Sequence, residues 1–203
     1  MTTYYSSNDK GIVSLDLSVA GFTLGGSAPV NGRTVVVHDS SGARIACGVL
    51  NPIAGEVVSL GAYPGYSDDY ASSIVGTITV SETSTGIKID GHVGGTAPSV
   101  TAGVHVHSGY TCDVTADATG AATNDASVGG HLYEMMDDDP WDTTYNSDSN
   151  GFATVDLELA GFSVQSSLGL PTAYRTFVVH TTDAKIGCGI VGTPSYVKLL
   201  LLL

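Results

Sequence analysis

A repeat written in alternating hydrophobicity limits what this chain can fold into more than any other feature. Gly11–Phe22 reads Gly-Ile-Val-Ser-Leu-Asp-Leu-Ser-Val-Ala-Gly-Phe, and Gly151–Phe162 reads Gly-Phe-Ala-Thr-Val-Asp-Leu-Glu-Leu-Ala-Gly-Phe, at an offset of 140. Val35-Val36-Val37-His38 matches Phe177-Val178-Val179-His180 at 142, and Ile45–Leu50 matches Ile186–Val191 at 141. Such self-similarity marks repeated structural units. Within each copy apolar residues fall on every second position: Val13, Leu15, Leu17 and Val19, then Ala153, Val155, Leu157 and Leu159. Alternate side chains of a strand share a face, so the pattern predicts half-buried strands. Elsewhere short alternating runs are separated by Gly, Asn, Asp and Ser, and the chain carries 26 Gly and no long apolar pattern of helical period. The expected class is an all-β sandwich or barrel.

The chemistry concentrates in Gly103-Val104-His105-Val106-His107-Ser108-Gly109-Tyr110-Thr111-Cys112. On a strand, His105 and His107 present two imidazoles side by side while Val104 and Val106 face a core. Neutral imidazole is a ligand for copper, zinc, iron and nickel. The competing reading is a solvated strand face with two polar residues. Downstream lie Gly129-Gly130-His131-Leu132-Tyr133, the run Phe177-Val178-Val179-His180, and Ile186-Gly187-Cys188-Gly189-Ile190.

In this order, the stretches HSGYTC, VGGHLY, DPW and VVH…IGCGIV resemble the Cu/Zn superoxide dismutase superfamily, and more closely its copper-only branch of tandem repeat proteins. The resemblance covers roughly residues 72–191, and its second half recurs at residues 3–50. It implies a Greek-key β-sandwich or flattened barrel with one complete and one half domain. It implies copper as the cofactor, held by His105, His107, His131 and His180, with superoxide anion as the substrate. His131 stands at the family's bridging position, where it can leave the reduced metal or deliver a proton. Lys185 takes the place of an arginine that attracts the anion, whereas the half repeat keeps Arg44. Lysine is cationic but lacks the planar fork of arginine. The further histidines of zinc-binding relatives are missing, and only seven residues separate His180 from Cys188, so the resemblance points to an open, copper-only site.

The resemblance also pairs Cys112 with Cys188, leaving Cys47 over; two buried reduced thiols are the alternative. The disulfide closes a long loop, worth about 4–5 kcal/mol in the chain-entropy view. It points to an oxidising, extracellular setting. A second functional class remains: a structural sandwich repeat in an extracellular wall or filament, built from adjacent repeats or other copies of the chain and catalytically inactive.

The expected organisation is a half domain at 1–50, a linker at 51–71, a complete domain at 72–191 and an apolar tail at 192–203. The half domain holds His38 and Cys47 but no H-x-H, no Gly-Gly-His and no first cysteine, which favours a piece of a longer tandem array. Strands are expected at 74–81, 87–93 and 100–107, with His92 a surface residue. Residues 113–128 read as a surface loop, and the acidic run Asp137–Asp139 with Asp148 as a solvated one. The five terminal leucines fall well short of the roughly 18 apolar residues a membrane span requires; they read as a truncated anchor, a packing strand or an artefact. With 7 Lys plus Arg against 20 Asp plus Glu and a net charge of -13, the chain lacks the basic face a nucleic acid requires.

Overall fold

A computed structural model describes residues 3–7, 11–16, 19–22, 29–50, 55–66, 70, 73–113, 127–134, 136–165, 169–192 and 198–202. The expected loop 113–128 lies almost entirely outside them. The described residues are all-β, with no α-helix among them. Two compact units form: residues 55–195, and residues 1–54 together with 196–203.

The larger unit carries β4 (Glu56–Ala62), β5 (Val75–Glu82), β6 (Gly86–Gly94), β7 (Thr101–His107), β8 (Thr144–Asn146), β9 (Phe152–Ala160), β10 (Phe162–Ser163), β11 (Leu170–Pro171), β12 (Thr176–His180) and β13 (Lys185–Ile190). Eight of these form one sheet in the order β8-β7-β12-β13-β4-β5-β6-β9. Every pairing in it is antiparallel. An isolated bridge from Ser147, just past β8, to Ala153 on β9 brings the two ends together. The sheet thereby nearly closes into a flattened barrel. Around it, β7, β8 and β9 lie side by side and β6 returns beside β9, a Greek-key order.

The alternation in the sequence becomes the inside and outside of this barrel. On β5, Ile78 and Val80 are buried while Thr77 and Thr79 are less so. On β9, Ala153 and Val155 point inward, with Leu157 and Leu159 packed against the core. Val104 and Val106 of β7 meet Phe177 and Val179 of β12 in the same cluster. Burying each such side chain contributes about 1.5–3 kcal/mol.

Two stretches differ from expectation. Within residues 51–71, read as a linker, Glu56–Ala62 form β4, which pairs with β5 along its length and with β13 at Gly61 and Ala62. Val58 and Leu60 are core residues there. Asp137–Asp139 and Asp148 are exposed, as expected, but between them Trp141 and Tyr145 are buried, and β8 forms the barrel's end strand. Asp148 does behave as a turn residue, its Oδ1 accepting from the Asn150 and Phe152 N–H groups. His92 is exposed, as expected.

The smaller unit carries β1 (Ile12–Asp16), β2 (Thr34–His38), β3 (Arg44–Val49) and β14 (Lys198–Leu202). β2 pairs with β3, and β1 pairs antiparallel with β14. The leucine run is therefore a strand. Among the described residues no helix is long and apolar enough to cross a membrane.

Candidate metal centre

Three neighbouring segments deliver four imidazoles to one place. β7 supplies His105 and His107 from the same face, their rings stacked with centroids 6.2 Å apart. β12 lies antiparallel beside β7, with Val178 across from His105 and Val179 across from Val104, and ends at His180. A register shift between Val179 and His180 in the β12–β13 ladder turns this last residue, as bulges do beside functional sites. His131 arrives on a short segment along β7: Ser108 N–H donates to Gly130 O at 2.8 Å and Leu132 N–H to Val106 O at 2.9 Å. His105, His107, His131 and His180 each offer a ring nitrogen, and these atoms all lie within 4.8 Å of one another. The group can hold a metal ion.

Hydrogen bonds decide which nitrogens face inward. His107 donates from Nδ1 to Gly129 O at 2.7 Å, leaving Nε2 as the inward lone pair, 3.3 Å from His180 Nε2. His131 donates from Nδ1 to Asp139 Oδ2 at 2.7 Å, which likewise leaves its Nε2 for a ligand. Such outer partners fix tautomer and ring orientation in metal sites. His105 Nδ1 is buried with no hydrogen-bond partner. A buried polar atom left unpaired is costly, and a bound cation answers that need.

The walls hold the rings in place. Trp141 is buried with its ring 6.4 Å from that of His105, and its Nε1–H donates to Leu132 O at 2.9 Å. Tyr145 donates from its hydroxyl to His180 O at 2.8 Å. Gly103 lies directly beneath the His105 ring: a Cβ there would stand 2.5 Å from Cε1. The Cys112–Cys188 disulfide, expected from the resemblance, is present and ties the segment after β7 to β13.

Electrostatics keep the site ready for a cation. Burial first, then the neighbouring imidazoles, pull His105 down to about 4 and His180 down to about 3. Both are neutral at neutral pH, so neither must lose a proton to bind a metal. Burial raises Asp139, but the Trp141 N–H and His131 outweigh it and hold the carboxyl below its ordinary range. Asp139 thus stays an anion acting on His131.

The structure brings all four expected histidines together. Lys185 opens β13 across from His180, with Nζ 5.8 Å from the centre of the Tyr63 ring. Asp139 and Gly103 were not singled out from the sequence. Asp139 sits in an acidic run whose members look alike, and only the fold shows which one meets His131. Gly103 is visible only as the small residue two before the first histidine. No family model matches this chain, and no curated protein matches it either.

Proposed function

We propose that the larger unit is a copper-binding domain of the superoxide dismutase kind, part of an extracellular repeat protein, and that it dismutates superoxide anion. The observation that supports this best is the donor set: four imidazoles, each offering a ring nitrogen within 4.8 Å of the others, in a site where the buried His105 Nδ1 has no hydrogen-bond partner. All-nitrogen sets of this size suit copper in both of its common oxidation states. Held by these four histidines, copper would supply one-electron redox chemistry, by which two superoxide anions and two protons would give one oxygen and one hydrogen peroxide.

The protein's own residues have separable parts in this reading. His105, His107 and His180 are donors set on two adjacent strands, His105 and His180 held neutral by burial. His131 is more open to solvent than His107, and its link to Asp139 suits it to hold or hand over a proton. Lys185 offers a cation beside His180 to draw the anion in. The disulfide supports an oxidising setting.

Metal reconstitution followed by elemental analysis and superoxide-decay kinetics tests the proposal. One copper per larger unit, no stoichiometric zinc, and decay that disappears in His180→Ala are expected. Stoichiometric zinc beside copper defeats the copper-only part, and undiminished decay in His180→Ala defeats the enzymatic part. One observation favours the second reading, a structural repeat: the smaller unit exposes Phe22, Val36, Ile45 and Val49, apolar surface that seeks a partner.

A further inference from the structure

The β2–β3 hairpin repeats β12–β13 down to its backbone hydrogen bonds. Thr34–Val37 face Val49–Ala46 as Thr176–Val179 face Ile190–Gly187, and each ladder shifts just before its histidine. His38 then stands across from Arg44 as His180 does from Lys185. Beyond the ladders, the Leu50 N–H donates to Arg33 O at 2.9 Å and the Val191 N–H to Arg175 O at 2.9 Å. A left-handed residue precedes each hairpin, Gly32 at φ 73° and Tyr174 at φ 64°.

What differs is the surroundings. β12 has β7 on its outer edge and β13 has β4, whereas β2 and β3 pair only with each other among the described residues. Val36 is 38% and Ile45 is 45% exposed, while their counterparts Val178 and Ile186 are 0% and 1%. Cys47 is an exposed free thiol where Cys188 is bonded to Cys112. His38 is exposed where His180 joins three other imidazoles.

We infer that the β2–β3 hairpin is a docking edge for the first half of another barrel, a polypeptide with strands of the β4–β7 kind. That partner lays an H-x-H strand along β2, covers Val36 and Ile45, and bonds its cysteine to Cys47. Docked in this way, His38 becomes the fourth imidazole of a second metal site. Open edges pair with added strands through backbone hydrogen bonds. The larger unit already displays this very pairing, with β7 seated on β12. A second copy of the chain is not the occupant. Each chain has one first half, residues 55–134, and it is already seated on its own β12–β13; lending it out would strip that barrel. The disulfide forms by exchange with oxidised glutathione: two thiols become one disulfide, and one oxidised glutathione becomes two reduced ones. The metal part of the inference rests on the copper reading of the larger unit; the docking part does not.

The test mixes the full chain with a nitrogen-15-labelled polypeptide of residues 55–134 and oxidised glutathione. A one-to-one adduct is expected, with peptide mapping placing the labelled Cys112 on Cys47. Before oxidation, docking should slow alkylation of Cys47 by iodoacetamide roughly tenfold by covering it. Copper uptake should rise from about one to about two equivalents, His38→Ala removing the second without affecting the adduct. An adduct in a chain that binds no copper at either site supports the docking and defeats the metal reading. In case the free polypeptide aggregates, a second arm fuses residues 55–134 ahead of Met1 through a flexible Gly/Ser linker. Undiminished alkylation of Cys47 in that fusion overturns the docking. So does a Cys47–Cys47 dimer of the unmixed chain, which would make a second copy the occupant.

Discussion

At the scale of single residues, the site depends on one side chain and one backbone carbonyl that stand outside the cluster and on a side chain that is missing. Gly103 has no side chain because the His105 ring occupies that space. Gly103→Ala should push the ring aside and weaken metal binding about 10- to 100-fold, the usual range for losing an orienting contact. Chelator competition measures this, with the far-UV spectrum reporting that the barrel persists; unchanged affinity would show that the ring does not depend on Gly103. Asp139 and Gly129 O act differently, by accepting hydrogen bonds from the Nδ1–H groups of His131 and His107. The lowered pKa values carry a prediction of their own. In the unfolded chain a histidine titrates at about 6.5, while His180 in the fold titrates at about 3. Between those values the unfolded chain binds the extra proton, so metal-free stability from this residue is present above pH about 6.5 and is lost as pH falls toward 3. His180→Ala removes that dependence. Urea midpoints of the metal-free proteins should therefore fall less in the variant than in the native chain between pH 7 and pH 4.5; parallel declines would argue that His180 is not desolvated.

At the scale of elements, β7 and β12 form the platform and three devices lock it. The register shift at the end of β12 turns His180, the bridge between His107 and His131 brings in a segment from outside the barrel, and the disulfide anchors that end to β13. The two disulfide-bonded cysteines are separated by 76 positions in sequence. Cys188→Ser should cost about 2–5 kcal/mol of unfolding free energy, since cross-links over long loops constrain the unfolded chain most. Guanidinium denaturation of the metal-free proteins reads it. A loss below roughly 0.5 kcal/mol would mean that the packing of Tyr63, Val128 and Val178 around the sulfurs holds this end without the bond. Strand β4 contributes in a less visible way, covering β13 and filling the core with Val58 and Leu60.

At the scale of the whole molecule, the net charge opposes the proposed substrate. A net charge of -13 repels superoxide, so a local cation matters to encounter. Lys185→Arg should speed superoxide decay at low ionic strength, with the gain shrinking as added salt shortens the Debye length to about 8 Å and below. The hairpin at Arg44 accepts arginine in the corresponding register position, across from His38. Pulse-generated superoxide decay over a salt series measures both variants; identical curves at every ionic strength would remove Lys185 from the path of the anion.

The sequence by itself determined the elements and the donors. Alternation in Val13–Val19 and Ala153–Leu159, glycine-punctuated runs, and histidines at the ends of apolar stretches are local signals, because side-chain direction repeats every two residues along a strand whatever lies beside it. The grouping of the four histidines and the disulfide were expected from a family resemblance carried by short motifs, and the structure brings both together. Only the tertiary structure decided the rest. β4 could not be told from a linker because Val57, Val58 and Leu60 alternate no more clearly than a packing loop does, and its partners β5 and β13 are fixed by long-range pairing. Asp139 could not be told from Asp137 or Asp138 until the turn before Trp141 aimed one carboxylate at His131. The edges of β2 and β3, unpaired among the described residues, are the same case in reverse: their residues read like those of β12 and β13, and what separates the two hairpins is which strands lie alongside, a property of neighbours that no local pattern encodes.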